Sequence, residues 1–310
     1  MTKDFLSVLD FTPEDLHRCL ELSATLKQAR AASQGRARGN ELAGAHVALL
    51  FEKPSLRTRS TFEIAIRELG GDVLEPQRDC AFGERESLPD VVRSLERWVA
   101  GLVVRTFSHE RLVELATAVP HLPVINALSD EEHPCQALAD AFTLTERWHT
   151  LEGRTIAFVG DGNNVAASLA HASAMLGLTL RIASPRGYEL PPARLRDARA
   201  HARDGASIEL LRDPAEAVRG ADAIYTDAWT SMGQEDTAAE RRRAFAGYQV
   251  NASLMGRAAP HALFMHCLPA HRGEEVADDV IDSPASIVFD QAENRLHTEK
   301  ALLAMLLAID

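Results

Sequence analysis

His46-Val47-Ala48-Leu49-Leu50-Phe51-Glu52-Lys53-Pro54-Ser55-Leu56-Arg57-Thr58-Arg59 joins an apolar run to a basic turn and then to a helical pattern. His46 to Phe51 reads as a buried strand. After Ser55, the apolar residues Phe62, Ile66 and Leu69 recur on one side of a helix that Gly70-Gly71 ends. The turn between them suits a phosphate. The guanidiniums of Arg57 and Arg59, the hydroxyls of Ser55 and Thr58 and the N–H groups of a helix start gather in one short stretch, and each favours a bound anion. Taken alone, Ser-x-Arg-Thr-Arg is equally a solvated basic turn, because short motifs match by chance.

Working outward, the strand-then-helix pattern repeats. Thr12-Pro13-Glu14-Asp15 opens a first helix with a hydroxyl cap, proline at its first position and acids in its first turn, and Gly35 to Gly39 is a loop. Val73-Leu74 is a short strand, residues 75–86 are a polar loop, and Ser87 caps a helix reaching Val99. Strands follow at 101–105 and 123–127, then a longer helix from His133 to His149. Beyond Gly153 a second series reads as strands at 155–159, 179–183, 207–210, 223–226, 263–267 and 287–289, with helical patterns between and a last helix over 292–307. This alternation predicts an α/β protein of two doubly wound parallel-sheet domains, residues 1–150 and 151–291, with ligands at the carboxyl ends of the strands.

The bulk numbers bound the function. A chain of 310 residues suits two ordinary domains, and 46% apolar with 25% charged residues is usual for a globular protein. A formal net charge of −12 argues against a general nucleic-acid partner, so cations at an anion site must be concentrated locally. No stretch resembles a signal peptide or a membrane span, which predicts a cytoplasmic protein without a membrane partner. Cys19, Cys80, Cys135 and Cys267 lack paired spacing and read as free thiols.

Polar residues collect where the fold expects its ligands. In the first half these are Ser55 to Arg59, Arg105 and His133-Pro134-Cys135-Gln136. In the second they are Gly160-Asp161-Gly162-Asn163-Asn164, Asp227 to Gly233, and His266-Cys267-Leu268-Pro269-Ala270-His271. Each singly is bland, but their common placement at strand ends implies an interdomain active-site cleft. Gly160-x-Gly162-x-x-Val165 approaches a dinucleotide fingerprint and fails it twice. Val165 replaces the third glycine, and Ile182-Ala183-Ser184 ends the next strand without an acid for a ribose. His266, Cys267 and His271 fit no common zinc spacing, so neither a nicotinamide cofactor nor a metal is expected.

On these motifs the chain resembles the aspartate and ornithine carbamoyltransferases over nearly its whole length. Ser55-Leu56-Arg57-Thr58-Arg59 and His133-Pro134-Cys135-Gln136 resemble the signatures shared by the family. Asp227-x-x-x-Ser231-Met232-Gly233, His266-Cys267-Leu268-Pro269 and Gln291-Ala292-Glu293-Asn294-Arg295 look like the ornithine branch. The resemblance implies transfer of a carbamoyl group from carbamoyl phosphate to the δ-amine of L-ornithine, giving citrulline, within arginine and citrulline metabolism. It makes residues 1–150 the carbamoyl-phosphate-binding domain and 151–291 the ornithine-binding domain, with the terminal helix 292–310 packing back on the first.

By the same resemblance Ser55, Arg57 and Thr58, with the backbone of Leu56 and Arg59, hold the phosphate. Arg105 bridges phosphate and carbonyl oxygen, His133 and Thr58 point at that oxygen, Gln136 and the Leu268 carbonyl accept the carbamoyl N–H groups, and Arg295 completes that end. Asp227 and Cys267 contact the δ-nitrogen, with Arg105, His133, Asp227, Cys267 and Arg295 forming the catalytic set. Asn164 and the Met232 backbone hold the α-carboxylate, while Asp227 and Ser231 read the α-amine. A homotrimer, or a multiple of trimers, is implied. Two departures stand out: Leu56 replaces a common threonine, and Ala81 replaces a hydrogen-bonding side chain, with Arg85 nearby as a substitute. Carbamoylation of another amine, such as an N-acylated ornithine or putrescine, and a non-catalytic anion-binding scaffold are the competing readings.

Overall fold

Runs such as Val47-Ala48-Leu49-Leu50 and Leu102-Val103-Val104 are apolar on both faces, the pattern of strands covered on both sides, and they form the middle of a parallel sheet. The computed structural model describes residues 2–35, 39–82, 86–230, 233 and 235–308. The chain divides into two compact units, residues 1–142 with 293–310, and residues 143–292.

In the first unit the strands β1 (His46–Phe51), β2 (Asp72–Leu74), β3 (Gly101–Arg105) and β4 (Val124–Leu128) lie in the order β2-β1-β3-β4, all parallel. Leu50, Leu102 and Val104 join Val92, Leu95, Leu112 and Leu115 of the helices Leu88–Leu95 and His109–Ala118 in one buried cluster. The terminal helix Val288–Leu307 belongs to this unit from residue 293. A Cβ on Gly101 would stand only 2.8 Å from Leu307, so glycine at the head of β3 makes room for that helix. Buried Lys300 reaches Glu68 at 2.9 Å, and Arg30 reaches the same carboxylate at 2.9 Å. One acid thereby ties the helices Pro13–Ala32, Leu56–Glu68 and Val288–Leu307 together.

In the second unit β5 (Thr155–Val159), β6 (Thr179–Ala183), β7 (Ser207–Leu211), β8 (Ala223–Thr226) and β9 (Leu263–His266) lie in the parallel order β7-β6-β5-β8-β9. Ala157, Val159, Ile224 and Phe264 anchor its core together with Val276, Val280 and Ile281. The helix Asn164–Leu176 is Ala-rich, and every residue from Val165 onward is buried.

Three expectations are corrected. Residues 287–289 form no sixth strand. The chain touches β9 through an isolated bridge at Ser286, and Gln291 N–H then donates to the Ile287 carbonyl as the helix begins. A three-residue apolar run fits a strand and a buried helix start equally well, and the helical continuation decides. Residues 75–86 are not all loop, since Arg78–Ala81 makes one helical turn. The helix after Ser87 ends at Leu95, with turn structure rather than helix leading to Val99. Among the described residues, no helix is long and apolar enough to cross a membrane.

Candidate active site

Sheet order reverses direction between β1 and β3 in the first unit and between β5 and β8 in the second. Such switch points open a crevice at the strands' carboxyl ends. Among the described residues, the motifs after β1 and β3 and after β5 and β8 lie at these two points, while His133 follows the edge strand β4 and His266 ends the edge strand β9.

In the first unit Phe51 pairs with Arg105, and Glu52 N–H donates to the Arg105 carbonyl at 2.8 Å, which sets the Ser55 turn beside the end of β3. Ser55 caps the helix Leu56–Glu68, its hydroxyl accepting from Thr58 N–H at 3.2 Å. The register of β3 on β4 shifts between Val104 and Arg105, a bulge that re-aims the last residue. Arg105 is buried and its Nη1 approaches the Thr58 hydroxyl at 3.5 Å, while Arg295 Nη2 donates to the same oxygen at 3.2 Å. Two buried guanidiniums therefore converge on one hydroxyl at the first turn of a capped helix.

Arg295 is oriented by its neighbours. Its Nε and Nη2 both donate to Glu299 Oε1, at 2.9 and 2.6 Å, and its Nη1 donates to Gln136 Oε1 at 2.8 Å. Gln136 Nε2 in turn donates to Asp140 at 2.8 Å, so the amide has one orientation. Burial raises the Glu299 carboxyl to about 7 against the pull of Arg295. His133 is also buried, and burial together with the charges of Arg295 and Arg105 holds it well below the usual histidine range. It is neutral at neutral pH and offers a ring N–H without giving up a full proton.

Lys53 was not singled out in the sequence. Its ammonium lies over the Phe107 ring at 3.9 Å, and burial followed by the Arg105 charge depresses its pKa. Glu52 accepts from Thr106, Phe107 and Arg111 and so fixes the chain leaving β3. Leu56 is 77% exposed, and Arg59 pairs with Glu75.

In the second unit Asp227 follows β8 and is buried. Its Oδ1 accepts from Ala228 N–H at 2.8 Å and from the Cys267 thiol at 3.0 Å, and its Oδ2 accepts from Asn163 at 2.7 Å. Leu268 has φ +58°, a region costly for a branched side chain. Its N–H donates to His266 Nδ1 at 2.8 Å while His266 Nε2 meets buried Glu275 at 3.2 Å, which defines the tautomer and pins the turn. Although ligand atoms of Asp227, His266 and Cys267 lie within 4.8 Å of one another, these hydrogen bonds account for their grouping.

Arg241 donates to Asp161 at 2.6 Å and to the Trp229 carbonyl at 2.8 Å, and it lies over Tyr188. Gly162 has a packing role, since a Cβ there would meet the Leu190 nitrogen at 2.2 Å. Cys19, Cys135 and Cys267 are free thiols. Ser231, Met232 and Arg85 lie outside the described residues, and Ala81 is buried.

The sequence assigns no role to Lys53 and Asn163, which stand inside its motif stretches, and does not mark Asp140, Arg241, Glu275 or Glu299. Three of them carried a local signal: Asp140 and Glu299 stand four residues after Gln136 and Arg295 on one helix face, and Asn163 directly precedes a helix. Arg241 meets Asp161, 80 positions away, only through the tertiary fold, whereas Glu275 accepts from the nearby His271 N–H as well as facing His266.

Family models match both halves of the chain. Residues 3–146 match the carbamoyl-P binding domain of aspartate/ornithine carbamoyltransferase, and residues 152–306 match its Asp/Orn binding domain. An ornithine carbamoyltransferase of Symbiobacterium thermophilum is 50% identical over 308 residues, covering 99% of this chain and 98% of that one. Among solved structures, ornithine carbamoyltransferase from Pyrococcus furiosus is 46% identical with a TM-score of 0.94, covering 98% of this chain and 97% of its own. The enzyme from Thermus thermophilus is 44% identical with a TM-score of 0.88, covering 99% of each chain.

Proposed function

The chain belongs to the aspartate/ornithine carbamoyltransferase family, and from that premise we propose that it transfers the carbamoyl group of carbamoyl phosphate to the δ-amine of L-ornithine, releasing L-citrulline and phosphate. Ser55, Arg57 and Thr58, with the backbone N–H groups of Leu56 and Arg59, take the phosphate at the helix start. Arg105 spans phosphate and carbonyl oxygen. His133, neutral for the reasons above, and the Thr58 hydroxyl donate to that oxygen as it gains charge in the tetrahedral intermediate. Donors set in advance at such a position are worth roughly 3–4 kcal/mol each. Gln136 and the Leu268 carbonyl accept the carbamoyl N–H groups, and Arg295 holds that end of the substrate.

The nucleophile is an alkyl amine with an ordinary pKa near ~10.4, so it must shed a proton before attack. Asp227 and Cys267 orient the δ-amine and handle that proton. Asn164 and the Met232 backbone hold the α-carboxylate, and Asp227 with Ser231 binds the α-amine. Family membership supports a homotrimer or a multiple of trimers, a cytoplasmic setting and a place in arginine biosynthesis.

The observation that carries this reading is the meeting of Arg105 and Arg295 on the Thr58 hydroxyl beside a neutral His133. Purified protein given carbamoyl phosphate with ornithine, N-acetylornithine or putrescine in turn should form product fastest with ornithine. Absence of citrulline from ornithine overturns it.

A further inference from the structure

Asn163 does two things with one amide. Its Oδ1 accepts the N–H groups of Val165 and Ala166, at 3.0 and 3.1 Å, which caps the helix Asn164–Leu176. Its Nδ2 donates to Asp227 Oδ2 at 2.7 Å. Because backbone N–H groups only donate, the capping oxygen cannot be exchanged for the nitrogen, and the amide presents Nδ2 to Asp227. Capping alone does not call for asparagine, since serine, threonine or aspartate serves there as well. Asparagine adds a donor that none of those supplies at that reach.

Asp227 needs such a donor. The terminal torsion of an aspartate is broad, and the bonds from Ala228 and Cys267 both fall on Oδ1. The bond from Asn163 on Oδ2 fixes the plane of the carboxylate. Among the described residues, Asp161 and His266 do not supply it. Asp161 carries a like charge and is engaged by Arg241, and His266 has its two nitrogens directed to Leu268 N–H and Glu275.

We propose that Asn163 is a positioning residue that holds the Asp227 carboxylate in the orientation that receives the acceptor amine. The proposal rests on the assignment of Asp227 to the δ-amine made above. The helix capped by Asn163 thereby ties the end of β5 to the carboxylate that follows β8.

Two variants that keep the cap test it in the full chain. Asn163→Ser retains the capping oxygen and removes the donor. Asn163→Asp retains the cap, gains a favourable charge at the helix start, and sets a second carboxylate against Asp227. Citrulline formation should show kcat/KM for ornithine down roughly ten- to hundredfold in Asn163→Ser, the worth of a hydrogen bond to a charged group, and further down in Asn163→Asp. The KM for carbamoyl phosphate should stay within about twofold of the parent, as expected for a bond that serves only the amine. Thermal midpoints should run the other way, with Asn163→Asp at least as stable as Asn163→Ser. If activity instead follows cap strength, with Asn163→Asp matching the parent, or if both substrates weaken together with the thermal midpoint, Asn163 is only a cap and the proposal is overturned. A parent that makes no citrulline sinks the functional reading and this proposal with it. An active parent with undiminished variants sinks this proposal alone.

Discussion

Thr58 is the residue on which the first half of the site turns, because a hydroxyl is small enough to accept from two guanidiniums at once. Burying Arg295 beside it would cost several kcal/mol without a partner, and Glu299 supplies one within the same helix at 2.6 Å. Arg57 is the side chain of this cluster assigned solely to the substrate phosphate. Arg57→Ala should therefore lower kcat/KM for carbamoyl phosphate on the order of 10²- to 10³-fold. A rate equal to the parent's would remove Arg57 from the phosphate site. At this scale the sequence was informative wherever a residue type and its job coincide, as with arginine for phosphate. It was silent on Lys53, Glu275 and Arg241, whose partners are remote in the chain or lie in the next turn of the fold.

Elements decide how these residues are aimed. Among the described residues, the motifs after β1, β3, β5 and β8 sit at the two reversals of sheet order, those after β4 and β9 sit at the ends of the neighbouring edge strands, and Arg295 lies on the terminal helix. The terminal helix brings Arg295 to Thr58, and its docking depends on the bare backbone of Gly101 under Leu307. Gly101→Val should overpack this contact and cost about 1–3 kcal/mol in urea unfolding, with Leu307→Ala recovering part of the loss when combined with it. Additive losses in the double variant would mean the two residues do not meet. The strand expected at 287–289 illustrates what local pattern leaves open: Ile287-Val288-Phe289 is apolar and short, but the i to i−4 bond from Gln291 to Ile287 makes it the first turn of a helix.

For the molecule as a whole, the net charge of −12 coexists with a local cationic group, half-buried Lys27 and Arg30 and buried Lys300, around His297. Burial first, and then Lys27, Lys300 and Arg30, depress His297 to about 4 from its ordinary 6.5, with Glu68 pulling the other way and Glu293 3.8 Å from the ring. The folded value lies below the unfolded one, so the unfolded chain binds the extra proton between these limits. Stability is full above pH 6.5 and is lost as pH falls toward 4, by about 3 kcal/mol over the window. His297→Gln should flatten that part of the curve of unfolding free energy against pH. Parallel curves for parent and variant would show that His297 does not titrate on unfolding.

By itself the sequence determined the class of fold and the chemistry offered at each strand end. Periodicity and capping residues act within a few positions of one another, and side-chain type limits what a group can bind. Only the tertiary structure decided which groups share a partner: Arg105 and Arg295 on Thr58, and Asn163 against Asp227. Arg105–Thr58, Arg295–Thr58 and Asn163–Asp227 join residues 47, 237 and 64 positions apart. Such pairs come together through sheet order and helix docking, long-range packing that no local pattern of residues encodes.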